Sequence, residues 1–578
     1  MFEEVLARRV ATVGKSHTPP VIVATGVSQR SGMDANVSRA DKDAEPRLST
    51  SSVSNSMLIG WGVACIALGL GIFQLTLPHV LTGVLGWNLG YDDGVYIGAA
   101  VHFAHGSLPY RDFVFVQPPG IILLLSPLGL LSRLTGTYDA VLIARVVTVL
   151  VTALNVGLTG LVLRRFGRTA VLVGTVLLAL WPTSVAVNRT VELEPYLVFF
   201  CLLALYLLFD RDIPSTSRVV LGGVAFGFAG VVKVWAIFPI IAVLICVLLA
   251  RRRFWLTCAG IALGAGVPLI GFVVASPYNF YRQVIVSQLL RKPLHGVATQ
   301  TLAHRALVLF GLNALRGFNA GSELAVSVLG FCVAVLLYVF VRHRRNLNLL
   351  AWVLLACAIL SVVGMFQSPI LFDHYAYFPY TFVALVVAFA IAMILRDVRV
   401  ALWGGTHAEP PKGIIGPAIG VVVVATGLLV TSNALFIRSY LSEAWSPSAM
   451  IDSTIPSGSC AISDFPIDLL VANRYVSTSS TCPAIVDPYG EYLVGDDGYS
   501  PNPTGPYPLA FREAWLATLN HVSFVDMRIA YSDFFPWDNY TIRYFAQNYE
   551  LVGSSAVSFP HSLIDNRSLS LIYENTHP

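Results

Sequence analysis

Long apolar runs separated by short polar turns dominate the chain between residues 57 and 438. The first run, 57–77, holds roughly 20 residues, and at about 1.5 Å rise per residue such a helix crosses a ~30 Å hydrocarbon layer. Further spans are predicted at 140–163, 169–187, 195–209, 219–232, 235–250, 255–275, 324–341, 349–365, 377–395 and 414–437. The pattern therefore predicts an α-helical polytopic membrane protein with about eleven transmembrane helices.

The composition agrees with this pattern and excludes several classes of protein. Of the 578 residues, 55% are hydrophobic and 12% are charged, about half the roughly 25% charged fraction of a soluble domain. Mean hydropathy is +0.69. A cytosolic enzyme, a secreted disulfide scaffold and a disordered chain are excluded. The net charge of +4 is too small to indicate a nucleic-acid partner.

Arginines in the short loops predict the orientation in the membrane. They follow or precede the spans in five groups: 164–168, 211–218, 251–253, 342–345 and 396–399. All five fall on one side if the spans alternate, and the positive-inside rule makes that side cytoplasmic. We therefore expect the N-terminus inside and the C-terminus outside. The shorter apolar run at 120–131 is interpreted as an interfacial helix, because a crossing there would reverse the order.

Three regions follow from these boundaries. Residues 1–56 predict a disordered cytoplasmic tail, residues 57–438 a transmembrane catalytic domain, and residues 439–578 a small extracytoplasmic α/β domain. The last region contains a predicted helix at 508–521 and the pair Cys460 and Cys482, whose bonding the sequence leaves open. Its Trp515 and Trp537 are interpreted either as core residues or as faces that bind a polysaccharide acceptor.

The first outer loop contains two adjacent acids, Asp92 and Asp93, before a short helical run. One interpretation is structural, because an acid is a good N-cap and is stabilised by the helix dipole. The other is chemical, because paired carboxylates near an interface can supply a general base and a second oxygen ligand. Further along, Arg111 could pair with Asp112 or with a bound anion.

Acids and a lysine recur at the next outer turns. Glu194 precedes Pro195, which is typical of a helix start, yet Glu192 and Glu194 would lie at the same membrane depth as Asp92. Lys233 lies between two apolar runs. It would either extend its ammonium to water or neutralise a lipid phosphate.

Two further outer segments have open interpretations. The aromatic stretch at 372–380 is typical of an interfacial belt, within which His374 is a candidate ligand for phosphate or sugar. The long loop at 277–323 carries several arginines and is either a solvated loop or a cationic rim for a phosphate. No repeat, P-loop, dinucleotide fingerprint or zinc-protease motif supports another chemistry.

In these residues the chain resembles the GT-C superfamily of integral membrane glycosyltransferases, in particular the protein O-mannosyltransferase and aminoarabinose transferase branch. The resemblance lies in the order of an acidic pair, a tyrosine, a glycine, a Pro-Tyr and a Pro-Pro: Asp92, Asp93, Tyr96, Gly106, Pro109, Tyr110, Pro118 and Pro119. Two positions depart from it, since Asp93 replaces the usual Glu and Gln117 replaces a Lys before Pro-Pro. The Asp-Asp-Gly variant and the polar C-terminal region resemble actinobacterial cell-envelope members.

The resemblance implies an inverting glycosyltransferase that moves a sugar from a polyprenyl-phosphate donor to a hydroxyl of a glycan, lipid or protein at the outer membrane face. It implies Asp92 and Asp93 as catalytic residues, with Asp92 the general base. The implied substrate-binding residues are Glu194, Lys233, Arg111, Gln117, His374, Tyr375 and Tyr96. Whether a divalent cation takes part stays open. The alternative from another class is a transporter or flippase of polyprenyl-linked sugars.

Overall fold

The structure, a computed structural model, describes most of the chain outside its N-terminal tail. The described residues are 50–82, 90–289, 301–311, 341–345, 347–369, 371–403, 447–495, 507–532, 534–556 and 569–577, with single positions at 330, 333 and 337. The predicted span at 414–437 lies outside them, and the span at 324–341 is described only at scattered positions. Most of the predicted tail also lies outside, although helix begins at Thr50.

Helices make up the first part of the described chain. They are α1 (Thr50–Thr82), α2 (Tyr91–Ala104), α3 (Gly120–Thr135), α4 (Thr137–Leu163), α5 (Arg168–Leu180), α6 (Pro182–Val187), α7 (Leu193–Phe209), α8 (Thr216–Val232), α9 (Ile237–Val247), α10 (Arg251–Ala275), α11 (Pro277–Phe280), α12 (Ser287–Leu289), α13 (Leu302–Leu309), α14 (Leu349–Phe366) and α15 (Tyr377–Trp403). Short 3₁₀ turns occupy Arg164–Phe166, Val234–Ala236 and His374–Ala376, and a π-helical turn occupies Tyr281–Val286.

Five segments of the described chain are long and apolar enough to cross a membrane: Asn55–Thr76, Thr137–Phe166, Arg251–Ala275, Leu349–Phe366 and His374–Arg399. Five shorter apolar helices accompany them, at Gly120–Thr135, Arg168–Leu180, Leu193–Phe209, Thr216–Val232 and Val234–Val247. The helical membrane fold predicted from the sequence is confirmed. The predicted interfacial run at 120–131 forms α3, one of the shorter helices.

Two glycine pairs set the close packing of α8 on α10. Gly223 and Gly227 on α8 face Gly260 and Gly264 on α10, and a Cβ on any of the four would lie 2.2–2.5 Å from a backbone oxygen of the facing helix. Small residues spaced four apart allow such contact between helix backbones in a membrane. Since α8 ends at Val232, this packing also determines where Lys233 lies.

Loop arginines from three turns meet at one end of the bundle. Arg164 and Arg218 both bind the carboxylate of Asp210. Arg253 donates to the carbonyl of Leu208. Helix α7 has 17 residues and separates this end from its own first turn by about 25 Å. The acids before α7 and Lys233 after α8 therefore lie at the opposite end from the arginines.

The C-terminal domain is a small α/β fold, as predicted. It contains α16 (Ser448–Thr454), β1 (Ala461–Ser463), α17 (Pro466–Val471), α18 (Pro488–Gly495), α19 (Leu509–His521), β2 (Phe524–Met527), α20 (Asn539–Asn548), β3 (Tyr549–Ala556) and β4 (Leu569–Asn575). The strand order is β1-β2-β4-β3. The β1–β2 pair is parallel and the other two pairs are antiparallel.

Covalent and apolar contacts stabilise this domain. Cys460 and Cys482 form a disulfide with Cα atoms 5.4 Å apart, which resolves the question that the sequence left open. Trp515 and Trp537 are buried beside Phe535 and Phe545. The core interpretation of the two tryptophans is therefore correct.

Buried charges lie where β1 and β2 end. Arg528 donates from Nε and Nη2 to Asp468, each at 2.8 Å, and its backbone N–H donates to Asp464 at 3.1 Å. Asp526 accepts from the hydroxyls of Ser463 and Ser570 at 2.8 and 2.7 Å. Burial and the neighbouring carboxylates raise the pKa of Asp464 to about 8 and that of Asp526 to about 7.

These raised pKa values predict a domain that becomes less stable in base. The folded state retains protons that the unfolded chain releases near pH 4, so the free energy of unfolding falls as the pH rises from about 4 towards 8. Hydrogen exchange in the full chain should show lower protection of β1 and β2 at pH 9 than at pH 6, after correction for intrinsic rates.

In the same measurement, Asp464→Asn should reduce this pH dependence. Asp452→Asn, at an exposed ion pair with Arg474, should leave it unchanged. Equal pH slopes for the wild type and Asp464→Asn would contradict the assignment.

Candidate active site

The predicted acidic pair begins α2 but does not cap it. The N-cap is Gly90, which makes no side-chain capping bond, and Asp92 and Asp93 follow in the first turn. The N-cap interpretation of the pair is therefore wrong. The two carboxylates point to different partners because successive side chains on a helix are separated by about 100°.

Asp93 is fully buried and bonded at both carboxylate oxygens. Its Oδ2 accepts from Arg145 Nε at 2.9 Å and also from Arg145 Nη2. Its Oδ1 accepts from the backbone N–H of Val191 at 2.9 Å. Arg145 is not among the site residues predicted from the sequence. The available signal was a lone charged residue inside a predicted span, which in a membrane indicates a buried partner.

Asp92 faces a different group of polar side chains. Tyr96, one turn later, donates from its hydroxyl to Asp92 Oδ1 at 3.3 Å. His374 Nε2 lies 3.5 Å from Asp92 Oδ2 and 4.0 Å from Glu192 Oε2. The side chain of Asp92 keeps 34% of its surface exposed. Residues from α2, from the turn before α7 and from the segment before α15 thus converge at one site.

Lys233 is buried and paired. Its ammonium binds the carboxylate of Glu194 and lies 3.7 Å from the ring centre of Trp235 and 4.3 Å from that of Tyr375. The expectation that this lysine reaches water is therefore wrong, because only 2% of the residue is exposed. Glu194 lies in the first turn of α7, so the helix-start interpretation is confirmed and the residue also serves as the partner of Lys233.

The aromatic segment before α15 lines the site instead of forming a belt at a lipid interface. Tyr375 packs edge-on against Trp235 and His374, each at 4.5 Å between ring centres. Phe372 stacks on His374 at 5.7 Å. Tyr377 and Tyr380 are buried. The rings of Phe372 and Tyr375 thus position His374, while those of Trp235 and Tyr375 enclose the Lys233 ammonium.

Glu192 has an unusual environment for a carboxylate. Its Oε1 accepts from Thr190 at 3.2 Å, while its Oε2 is buried and makes no hydrogen bond within the described residues. Burial raises the pKa of Glu192 well above its ordinary value, and the nearby charges of Asp92, Glu194 and Asp93 raise it further, while Lys233 lowers it. This carboxyl group therefore favours a proton or a cation.

Three predicted groups are not seen to join this cluster. Arg111 is exposed and binds Asp112 through two contacts of 2.8 Å. Gln117 is buried; its backbone carbonyl accepts from Tyr110 at 2.8 Å, and its Oε1 has no hydrogen-bond partner among the described residues. In the long loop, Arg282 and Arg305 donate to backbone carbonyls, while Arg291, Lys292 and Arg316 lie outside the described residues.

One set of donors in the described chain could hold a metal ion. Asp92, Glu192 and His374 each offer one atom, and these atoms lie within 4.8 Å of one another. A mixed carboxylate and imidazole set suits Mn²⁺, Fe²⁺ or Zn²⁺. The unsatisfied Oε2 of Glu192 fits this role, because a cation would provide the partner that the protein does not.

A model of a known protein family matches the middle of the chain. The model of Glycosyltransferase family 87 matches residues 115–369, which includes Glu192, Glu194 and Lys233. A comparison with curated proteins finds no match.

Two solved structures have a similar fold over most of the chain. ArnT from Cupriavidus metallidurans, in a crystal structure with bound undecaprenyl phosphate, has a TM-score of 0.52 and 13% identity, covering 88% of this chain and 97% of ArnT. The oligosaccharyltransferase of Archaeoglobus fulgidus, tethered to an acceptor peptide, has a TM-score of 0.52 and 12% identity, covering 81% of this chain and 68% of that enzyme. The fold implied by the predicted resemblance to GT-C membrane glycosyltransferases is therefore confirmed.

The donor set predicts pH-dependent binding of Mn²⁺. A carboxyl group must lose its proton to bind a cation, so affinity should rise as the pH rises through the raised pKa of Glu192. Titration of the full chain in detergent, followed by the electron paramagnetic resonance of free Mn²⁺, measures this directly.

Glu192→Gln and His374→Ala should each weaken Mn²⁺ binding at least roughly tenfold, the usual scale for loss of a metal contact. His343→Ala is the matched control, because His343 binds Asp397 at 2.7 Å and not these donors. Binding that is equally tight in Glu192→Gln and the wild type would contradict the site.

Proposed function

We propose that this chain is a membrane glycosyltransferase that moves a sugar from a polyprenyl-phosphate donor to a hydroxyl acceptor with inversion at the anomeric carbon. The observation that carries the proposal is the convergence of Asp92, Glu192, Glu194, Lys233 and His374 at one end of the bundle. The match to Glycosyltransferase family 87 and the ArnT structure with undecaprenyl phosphate support the same chemistry.

Asp92 is the best general base of the acidic pair. Asp93 is fully buried, with its oxygens bonded to Arg145 and Val191, so a substrate cannot reach it. Asp92 is partly exposed, and within the described residues its polar contacts with Tyr96 and His374 are long. The acceptor oxygen attacks the anomeric carbon, Asp92 takes the hydroxyl proton, and the bond between that carbon and the phosphate oxygen breaks with its electrons on the phosphate. One displacement inverts the centre.

The leaving group requires positive charge but no acid. A lipid phosphate leaves as an anion, and groups that stabilise its developing charge lower the barrier. Lys233 is our choice for this role, since its ammonium is held at the site by Glu194 and two aromatic rings. A divalent cation held by Asp92, Glu192 and His374 would supply further charge stabilisation. Arg111 is a weaker candidate because it is paired with Asp112. Gln117 is weaker because its side chain carries no charge.

The location of the reaction is also a proposal. The arginine end of the bundle is assigned to the cytoplasm by the positive-inside rule, which puts the acidic site and the C-terminal domain outside. The disulfide between Cys460 and Cys482 supports this, because disulfides persist in oxidising compartments. The donor would then be a mannose, galactose or arabinofuranose carried on polyprenyl phosphate, with a glycan, lipid or protein as acceptor. The transporter alternative gains no support from the family match or the shared fold.

Two adjacent substitutions separate catalysis from folding. Asp92→Asn should lower turnover by about 10² to 10⁴, the usual contribution of a general base, and leave the melting temperature unchanged. Asp93→Asn should destabilise the fold by about 3–5 kcal/mol, because it removes the buried carboxylate charge that the Arg145 guanidinium binds.

The assay uses the full chain in lipid nanodiscs with the three radiolabelled polyprenyl-phosphate sugars and a short acceptor glycan. Transfer of label to the glycan or to water is measured beside the melting temperature. If the wild-type protein moves lipid-linked sugar across vesicle membranes but forms no glycosidic bond, the proposal is refuted. Asp92→Asn with full turnover would refute the choice of base.

A further inference from the structure

We propose that Tyr91 and Asp487 are positioning residues through which the C-terminal domain holds Asp92 in the orientation needed for sugar transfer. This inference rests on the function proposed above and extends it to a part of the chain outside the membrane helices. Tyr91 directly precedes Asp92 at the start of α2. Asp487 precedes α18 in the C-terminal domain.

The Tyr91 hydroxyl is bound at both of its hydrogen-bonding functions. It donates to Asp487 Oδ1 at 2.6 Å and accepts from the backbone N–H of Tyr489 at 2.7 Å. Its ring packs against Phe534 at 4.7 Å and Phe465 at 5.7 Å between ring centres. The side chain of Tyr91 thus inserts into the C-terminal domain.

Asp487 is itself held rigidly. Its Oδ1 also accepts from the backbone N–H of Gly490 at 2.9 Å, a bond of the kind that caps a helix. Only 5% of Asp487 is exposed. Because Asp487 caps α18, the hydrogen bond from Tyr91 to Asp487 attaches the tyrosine to the first turn of that helix.

One face of α2 lies against the C-terminal domain along most of its length. A Cβ on Gly94 would lie 2.3 Å from the backbone nitrogen of Ile467, and one on Gly98 would lie 2.3 Å from the Tyr475 hydroxyl. The ring of His102 packs against Tyr475 at 5.1 Å. Positions 91, 94, 98 and 102 form a stripe with helical spacing, so the domain covers a continuous face.

The opposite side of the first turn is fixed by the membrane helices. Asp93 binds Arg145 and Val191, while Asp92 and Tyr96, four residues apart, face the candidate active site. Among the residues that the structure describes, Asp92 contacts Tyr96 at 3.3 Å and His374 at 3.5 Å, both long for a hydrogen bond to a carboxylate. Its orientation therefore depends on the helix, and the helix is held by residue 93 on one side and by residues 91 and 94 on the other.

Loss of the Tyr91 contact should affect the chemical step more than binding. A misplacement of about 1 Å in a reacting group can cost 10²-fold in rate. Lys233, the residue assigned to the donor phosphate, contacts Glu194, Trp235 and Tyr375 and makes no contact with Tyr91 within the described part of the chain. Tyr91→Phe should therefore lower kcat roughly 10- to 100-fold and change the KM for the donor less than about twofold.

A matched tyrosine controls for loss of a buried hydrogen bond in the same domain. The hydroxyl of Tyr549 donates to the carbonyls of Leu519 and Val522 at 2.6 and 2.8 Å, away from α2. Tyr549→Phe should lower the melting temperature at least as much as Tyr91→Phe and leave kcat unchanged. Equal losses of kcat in the two variants would overturn the proposal.

Two changes at Asp487 test the same contact from the other partner. Asp487→Ala removes the acceptor and should reproduce the kcat loss of Tyr91→Phe without adding to it in the double variant, because both remove one interaction. Asp487→Asn keeps an acceptor oxygen and should lose less. Hydrogen exchange of α2 should rise in Tyr91→Phe and Asp487→Ala but not in Tyr549→Phe.

All variants are made in the full chain and assayed with the polyprenyl-phosphate sugar that the wild type transfers. If the wild type transfers none of the three sugars, the proposed function fails and this inference fails with it. If the wild type is active and Tyr91→Phe matches it in kcat and in exchange of α2, only the positioning role is overturned. If Tyr91→Phe does not fold, the comparison of kcat between Asp487→Ala and Asp487→Asn tests the positioning role.

Discussion

The buried ion pair between Asp93 and Arg145 is the interaction on which the candidate site depends. It joins the first turn of α2 to α4, and the second oxygen of Asp93 binds the N–H of Val191. Asp92 and Glu192 each lie next to one of these bonded residues in the chain. One fully buried carboxylate therefore helps to position two others, the partly exposed Asp92 and the buried Glu192. Its burial is tolerable because a cation and a backbone donor satisfy both of its oxygens.

Charge balance explains the remaining polar residues at this end of the bundle. Asp92, Glu192 and Glu194 place three carboxyl groups close together, and Lys233 compensates one of them directly. Aromatic rings from two segments enclose the ammonium, and their faces attract its positive charge. Burial, together with the charges of Asp92, Glu194 and Asp93, raises the pKa of Glu192, although Lys233 lowers it. The site therefore favours proton transfer and binding of a cation over binding of a further anion near Glu192.

The C-terminal domain also contacts α2, the helix that carries Asp92. Its helix α17 packs closely on α2 at Gly94, and its Asp487 binds Tyr91. A polar domain attached to a membrane bundle could instead have been joined by a single linker. Here the helix that carries Asp92 lies between the two parts, so the orientation of this carboxylate depends on both.

Several site residues could be predicted from the sequence because of how membrane helices alternate. Consecutive spans cross the membrane in opposite directions, so the polar residues in the outer turns all lie at one end of the bundle. The sequence therefore predicts that Asp92, Glu194, Lys233 and His374 lie near one another. It does not indicate which of them pair. The sequence predicts that Lys233 either reaches water or neutralises a phosphate, and the structure excludes only the first, because the residue is buried against Glu194. Arg145 is a lone charge among apolar neighbours, and no local pattern indicates that Asp93 is its partner.

The sequence by itself determined the membrane class, the order of the apolar helices and the small C-terminal fold, because hydrophobic periodicity is a local property of the chain. Only the tertiary structure decided that Asp93 is buried against Arg145, that Asp92 lies beside His374, and that residues of the C-terminal domain contact α2. Those outcomes depend on contacts between positions that are 52 residues apart for Asp93 and Arg145 and 396 apart for Tyr91 and Asp487. A local pattern contains no information about such pairs. Two adjacent acids look alike in the sequence, and they differ only once the helix that carries them is packed against its neighbours.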